Sequence, residues 1–152
     1  RYFDTYYNNC IKYNIPVGIY VYNYGTSVES ARNIANKTLD WLNGRKLDLP
    51  IFFDIEEESQ ENANLRGINT EMAKTFCSII QSRGYRAGIY GNKNFLTNYI
   101  DMRQLENDYV VWVAQYNDVC TYSGRYNIWQ YSSSGRIPGI NGNVDCNIFY
   151  GM

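Results

Sequence analysis

Apolar and polar positions follow two different periods along this chain, and each period predicts one kind of element. Helical spacing of the apolar residues predicts helices over 2–13, 28–42, from about 70 to 83, and over 94–99. Runs rich in β-branched and aromatic residues predict strands over 17–24, 50–56, 85–90, 109–116, 126–131 and 144–149. Thr26 with Glu29 predicts a capping box at the start of the second helix, and 57–68 is predicted to be a loop.

The order of these elements predicts the architecture. Helices and strands alternate over most of the chain, which is typical of a mostly parallel sheet with outer helices, closed or nearly closed as a barrel. The last two strands have little helix between them, so this end departs from a regular eight-unit barrel. No internal repeat, linker or low-complexity segment is visible, and a single domain over 1–152 is therefore expected.

The strand at 50–56 ends in carboxylates and carries the main chemical hypothesis. Phe52, Asp54 and Glu56 share one face of this strand. Two acids side by side near apolar surroundings should have different pKa values, and glycosidic bond cleavage needs one protonated and one ionised acid. We predict that Glu56 is the general acid and that ionised Asp54 orients the reacting group. The alternative is an acidic strand end that faces solvent or binds a cation. Glu57 points to the opposite face and is expected to be solvated or paired.

A second polar group and several aromatic residues lie near other strand ends. Asp145 and Asn147 share a face of the last strand, where an acid and an amide can bind an acetamido group. An ordinary polar strand end is the alternative. The aromatic candidates for stacking on sugar rings, each with core packing as its alternative, are Tyr22, Tyr90, Trp112, Tyr116 and Trp129.

Composition narrows the chemistry further. The 152 residues include 16 tyrosines, whose flat apolar face and hydroxyl suit a carbohydrate groove. There is no histidine, which excludes Ser-His-Asp and Cys-His hydrolases and His-ligated zinc. The four cysteines show no C-x-x-C spacing, so we expect no metal site and no cofactor. The net charge of −1 without a basic block argues against nucleic acid, and no apolar run approaches the roughly 18 residues of a membrane span.

Six segments occur together in an order that is specific to one family. They are Ile15–Tyr20, Leu49–Glu56, Gly88–Tyr90, Trp112–Tyr116, Ile128–Ser132 and Asn143–Asn147. With these segments the chain resembles the family 25 glycoside hydrolases, the Chalaropsis-type lysozymes or N-acetylmuramidases of bacteria and their phages. The resemblance implies cleavage of the β-1,4 bond between N-acetylmuramic acid and N-acetylglucosamine in peptidoglycan. It also implies action outside the cell or at the cell wall, after secretion or phage release.

The resemblance assigns roles to particular residues. It implies that Glu56 is the proton donor, Asp54 its partner carboxylate and Asp145 the late-strand aspartate of the cleft. The aromatic residues at strand ends would line the groove that holds the glycan strand. Retention of configuration is implied, with the substrate's own acetamido oxygen as nucleophile; two carboxylates so close in sequence fit this, because an inverting pair needs a wider gap for water.

The resemblance also implies a shortened barrel. The family begins with a strand that carries an Asp-Val-Ser type motif, then a helix and a second strand. This sequence starts at the next helix, so about one βαβ unit of roughly 30 residues is missing, together with its active-site aspartate. The expected fold is an irregular TIM-like (β/α) barrel that is incomplete at its N-terminus. A relative that binds peptidoglycan without cleaving it is the alternative function.

Overall fold

The computed structural model describes residues 2–152, and helices and strands alternate along most of this range. The helices are α1 (Phe3–Lys12), α2 (Val28–Leu42), α3 (Arg66–Ser82) and α4 (Lys93–Asn98). The strands are β1 (Ile19–Tyr22), β2 (Ile51–Asp54), β3 (Ala87–Asn92), β4 (Val110–Ala114), β5 (Ile128–Gly135) and β6 (Val144–Phe149). Each predicted element is present, although the segment predicted as a loop contains two short 3-10 turns and helix α3 begins four residues earlier than expected.

The predicted capping box is wrong by one residue. Ser27 is the N-cap of α2, and its hydroxyl accepts a hydrogen bond of 3.1 Å from the backbone N–H of Ser30. The Ser30 hydroxyl in turn accepts from the backbone N–H of Ser27 at 3.2 Å. Ser30 at the N3 position therefore accepts the hydrogen bond from the N-cap backbone that Glu or Gln usually accepts in a capping box. Thr26 and Glu29 also matched the sequence pattern, and only the backbone geometry separates the two registers.

The six strands form one open sheet in chain order, and β5 and β6 are its only antiparallel neighbours. The sheet curls into half a barrel, which confirms the prediction of an incomplete barrel: within residues 2–152, strands β1 and β6 each have a partner on one side only. One row of paired residues crosses five strands, namely Tyr22, Asp54, Tyr90, Trp112 and Ile128. This row brings four of the predicted site residues, Tyr22, Asp54, Tyr90 and Trp112, to the same level of the sheet.

The two faces of the sheet pack differently. The outer face contacts the helices, and there Phe53 stacks on Phe76 of α3 with ring centroids 4.6 Å apart. The inner face carries a smaller cluster of Phe52, Tyr90 and Ala114. The alternation predicted for β2 is thereby confirmed. Gly88 makes room for this cluster, since a Cβ there would overlap the Phe52 ring. None of the helices within residues 2–152 is long and apolar enough to cross a bilayer.

Candidate active site

The carboxyl ends of three neighbouring strands surround a cavity. Parallel strands all end at the same edge of the sheet, so residues that follow β2, β3 and β4 come together there. The cavity has a volume of about 390 Å³ and is lined by Glu56, Tyr90, Asn92, Ala114 and Tyr116. The structure thus brings together three residues predicted from sequence, Glu56, Tyr90 and Tyr116. Among residues 2–152, no group of three or more Cys, Asp and Glu side chains is arranged to hold a metal ion.

Glu56 lies just beyond β2, and β3 holds its carboxylate. The Glu56 Oε2 atom accepts hydrogen bonds from the backbone N–H of Asn92 at 2.9 Å and from its side-chain Nδ2 at 3.2 Å. Burial raises the pKa of Glu56, the two hydrogen bonds from Asn92 lower it, and the charge of Glu61 raises it again. The result is a carboxyl group with a raised pKa that is held by two donors on one oxygen.

Asp54 is the more deeply buried acid, at 5% exposure. Its Oδ1 atom has no hydrogen-bond partner among the described residues. Burial, and then the charge of Glu56, raises the pKa of Asp54 to about 7. A buried carboxylate without a donor is costly in its charged form, and this favours the protonated form of Asp54. The prediction that Asp54 is the ionised member of the pair stays a prediction, and in the free site the donors of Asn92 lie at Glu56 rather than at Asp54 Oδ1.

The aromatic wall of the cavity is held by one buried amide. The hydroxyls of Tyr90 and Tyr116 both donate to Gln130 Oε1 at 2.9 Å, and Gln130 is only 2% exposed. Trp112 packs edge-on against Tyr90 with ring centroids 4.7 Å apart, and its Nε1 donates to Asn147 Oδ1 at 2.9 Å. These aromatic rings are oriented by polar partners as well as by packing.

Three residues named in the sequence analysis do not line the cavity, namely Tyr22, Glu57 and Asp145. Tyr22 is next to Asp54 in the strand register, and its hydroxyl donates to Glu57 Oε2 at 2.9 Å. Burial, and then the hydrogen bond to Glu57, raises the pKa of Tyr22 to about 12. Glu57 is thus paired, one of the two outcomes expected for it. Asp145 is exposed at the start of β6, and its charge contributes to a raised pKa of Tyr90.

The prediction that Trp129 lines the groove is wrong. Trp129 is 6% exposed and belongs to the outer core between sheet and helices. Its Nε1 donates to the backbone carbonyl of Gln115 at 2.8 Å. Successive strand residues point to opposite faces, so Trp129 points outward where the next residue, Gln130, points inward.

Two site residues, Asn92 and Gln130, were not among the sequence-based candidates. Each lies two positions after an inner-face residue, Asn92 after Tyr90 and Gln130 after Ile128. The strand period was therefore a signal for both of them. Their roles depend on partners on other strands, which this period does not identify.

We expect Gln130→Met to destabilise the protein by about 1–3 kcal/mol, because the buried hydroxyl of Tyr90 loses its acceptor. Adding Tyr90→Phe should restore part of that loss, since the unpaired hydroxyl is then removed as well. Urea denaturation of the two single variants and the double variant measures both effects. Simple additivity of the two single changes would contradict this account of the Gln130 contacts.

Comparison with known proteins establishes the family. A family model described as Glycosyl hydrolases family 25 matches residues 1–140. The chain therefore belongs to glycoside hydrolase family 25. The match includes Asp54 and Glu56 and ends before Asp145.

The chain is also similar to a curated relative and to solved structures. The uncharacterized protein YegX of Escherichia coli O157:H7 is 29% identical over 121 residues, which cover 76% of this chain and 40% of YegX. The chain thus spans less than half the length of this curated relative. The modular autolysin LytC of Streptococcus pneumoniae, solved with a synthetic peptidoglycan ligand, has a TM-score of 0.83 at 22% identity, covering 99% of this chain and 37% of LytC. The catalytic domain of endolysin ply40 from Listeria monocytogenes bacteriophage P40 has a TM-score of 0.74 at 23% identity, covering 97% and 73%. These likenesses show a shared fold.

Proposed function

We propose that this chain is a peptidoglycan hydrolase, an N-acetylmuramidase that cleaves the β-1,4 bond between N-acetylmuramic acid and N-acetylglucosamine. The observation that carries the proposal is the pair Asp54 and Glu56 at the C-terminal edge of a family 25 half-barrel. The peptidoglycan ligand of LytC and the endolysin origin of the ply40 domain support the same substrate class. The reaction would take place at the cell wall, in catabolism or lysis, by secreted or phage-released protein.

Glu56 is the proposed proton donor to the glycosidic oxygen. Both of its hydrogen bonds from Asn92 end on Oε2, which leaves Oε1 to carry the proton. Proton donation to the leaving oxygen is the role that glycosidases give to an acid of raised pKa. The raised pKa of Glu56 and its place in the lining of the cavity support this role.

Asp54 is the proposed partner, and substrate binding would change its protonation. Its unpaired Oδ1 can accept the N–H of a sugar acetamido group. That hydrogen bond would favour ionised Asp54, and the new negative charge would raise the pKa of Glu56. In the complex, ionised Asp54 would therefore favour the protonated form of Glu56. The oxygen of the acetamido group held by Asp54 attacks the anomeric carbon as the bond to the protonated glycosidic oxygen breaks. Water, deprotonated by Glu56, then opens the resulting oxazolinium ion at the same carbon, so that two displacements retain the configuration.

The remaining inner-face residues are proposed to hold the glycan strand. Tyr116 exposes 59% of its surface while Gln130 anchors its hydroxyl, so one ring face is available for a sugar. Tyr90 and Trp112 continue this aromatic surface, and Tyr22 extends it on β1. Asp145 lies on β6 at the far side of the half-barrel. We propose that it binds polar groups of the glycan strand.

The deciding experiment is incubation of purified peptidoglycan with the chain, followed by borohydride reduction and identification of the new sugar ends. Reduced N-acetylmuramic acid ends would support the muramidase. Reduced N-acetylglucosamine ends would show cleavage of the other glycosidic bond and contradict the proposed specificity. Binding to cell walls without new reducing ends would instead support a non-catalytic peptidoglycan-binding relative.

A further inference from the structure

We infer that Asn92 is a positioning residue for Glu56, and that it links the orientation and proton affinity of this carboxyl to the cap of helix α4. The inference rests on the proposed function for its catalytic meaning. Asn92 is the last residue of β3 and the N-cap of α4, so it belongs to two elements at once. It lies two residues after Tyr90, on the same face of the strand, at the edge where the cavity opens.

All the polar atoms of the Asn92 side chain are engaged, and this fixes the orientation of the amide. Its Oδ1 accepts a hydrogen bond of 2.9 Å from the backbone N–H of Phe95. Its Nδ2 donates to Glu56 Oε2 at 3.2 Å. A flipped amide would place its oxygen against the carboxylate and its NH₂ group against another donor, and both hydrogen bonds would be lost. Phe95 and Leu96 are buried in the core, so α4 holds this amide from a rigid base.

The hydrogen bonds from Asn92 oppose the other influences on Glu56. Burial and the charge of Glu61 favour the protonated carboxyl, whereas the two donors of Asn92 favour the ionised one. Asp54, Tyr22 and Tyr90 also interact electrostatically with Glu56. The neighbouring cation, Lys93, is engaged elsewhere, since its Nζ donates to Thr121 Oγ1 at 2.6 Å. The hydrogen bonds from Asn92 therefore lower the proton affinity of Glu56, which makes release of its proton easier.

Two substitutions separate the donor from the helix cap. Asn92→Asp keeps an oxygen for Phe95 and replaces the Nδ2 donor by a second carboxylate oxygen next to Glu56. Asn92→Ser also keeps a good N-cap but removes the donor without adding charge. The backbone N–H of Asn92 remains in both variants. The matched control is Asn98→Asp, the same change on an exposed residue of the same helix, where the side chain donates to Asn94.

The measurement is the titration of the Glu56 side-chain carboxyl by ¹³C NMR in the whole chain, assigned by its loss in Glu56→Gln. We expect Asn92→Asp to raise the midpoint by about one pH unit, a tenfold change in proton affinity. Asn92→Ser should raise it by less, and Asn98→Asp should leave it in place. The alkaline limb of kcat/KM for peptidoglycan should move with the midpoint, because that limb reports the acid of the free enzyme. Loss of packing alone would expose Glu56 to water and lower its midpoint, which is the opposite direction.

An unmoved Glu56 midpoint in Asn92→Asp would overturn the inference. If that variant fails to fold, Asn92→Ser decides, because it introduces no charge: a midpoint equal to wild type would overturn the inference, and an upward shift would support it. The titration requires no substrate, so it separates this inference from the proposed function. Wild-type protein that releases no reducing ends, together with a shifted midpoint in the variants, would overturn the muramidase and leave the Asn92 contact established.

Discussion

Glu56→Gln is expected to lower the release of reducing ends from purified peptidoglycan by about 10³-fold, within the usual range for loss of a general acid. Glutamine keeps the size of the side chain and an oxygen that can accept the hydrogen bonds from Asn92. It has no proton to give to the glycosidic oxygen. The variant should therefore fold and still bind cell walls, with the loss in kcat rather than in KM.

The matched control for this variant is Glu58→Gln, which neutralises an exposed carboxylate two residues along the chain. It should retain wild-type activity. Equal activity of Glu56→Gln and wild type would exclude Glu56 as the proton donor. Equal losses in both variants would show that charge near the cavity matters, rather than one particular proton.

Asp54→Asn is expected to lower activity strongly and to stabilise the folded protein at neutral and alkaline pH. Asparagine keeps an oxygen that can accept the acetamido N–H but removes the negative charge proposed to stabilise the reacting group, and we expect a loss of at least about 10²-fold in kcat. The same substitution removes a buried carboxylate whose Oδ1 has no partner within residues 2–152. We expect a gain on the order of 2 kcal/mol in the free energy of unfolding at pH 8.

The sign of this pH dependence follows from the raised pKa. The unfolded chain loses the Asp54 proton near pH 4, whereas the folded chain holds it until about pH 7. Between these values the folded state binds more protons, so Asp54 lowers stability progressively as the pH rises through this window. Above it, the full cost of the buried charge is present. The stability advantage of Asp54→Asn should therefore be small near pH 4 and largest at pH 8.

Urea denaturation of wild type and Asp54→Asn at pH 4, 6 and 8 measures this difference. Asp118→Asn is the control, because Asp118 is an exposed carboxylate outside the cavity. A constant difference between wild type and Asp54→Asn over the whole range would contradict the raised pKa. If Asp54→Asn is more stable than wild type and inactive, the buried carboxyl of Asp54 lowers the stability of the protein and is required for its activity.

Much of the fold was predictable because its information is local. The period of apolar positions located the helices and strands, and their alternation predicted the parallel sheet. The strand period of two also predicted one face for Phe52, Asp54 and Glu56, and the inner and outer clusters of the sheet confirm the alternation for Phe52 against Phe53 and Ile55. The wrong capping residue has the same origin, since Thr26 and Ser27 offer overlapping local patterns and backbone geometry selects between them.

The electrostatics of the pair could not be predicted in this way. The sequence shows that Asp54 and Glu56 are two residues apart. It does not show which of the two carboxyl groups accepts hydrogen bonds. That depends on Asn92, which comes from the next strand and donates to Glu56. Asp54 lies one level deeper in the half-barrel without a donor for its Oδ1 among residues 2–152, so its pKa is raised to about 7.

By itself, the sequence determined the elements, the α/β class, the membership of glycoside hydrolase family 25 and the acidic pair at a strand end. These properties depend on residue type and on spacing along the chain. The tertiary structure alone decided that Trp129 belongs to the outer core, that Gln130 anchors two tyrosines, and that Asn92 holds Glu56. Burial and hydrogen bonding between strands that are distant in sequence set the energy of each side chain, and the packed sheet is what brings those partners together.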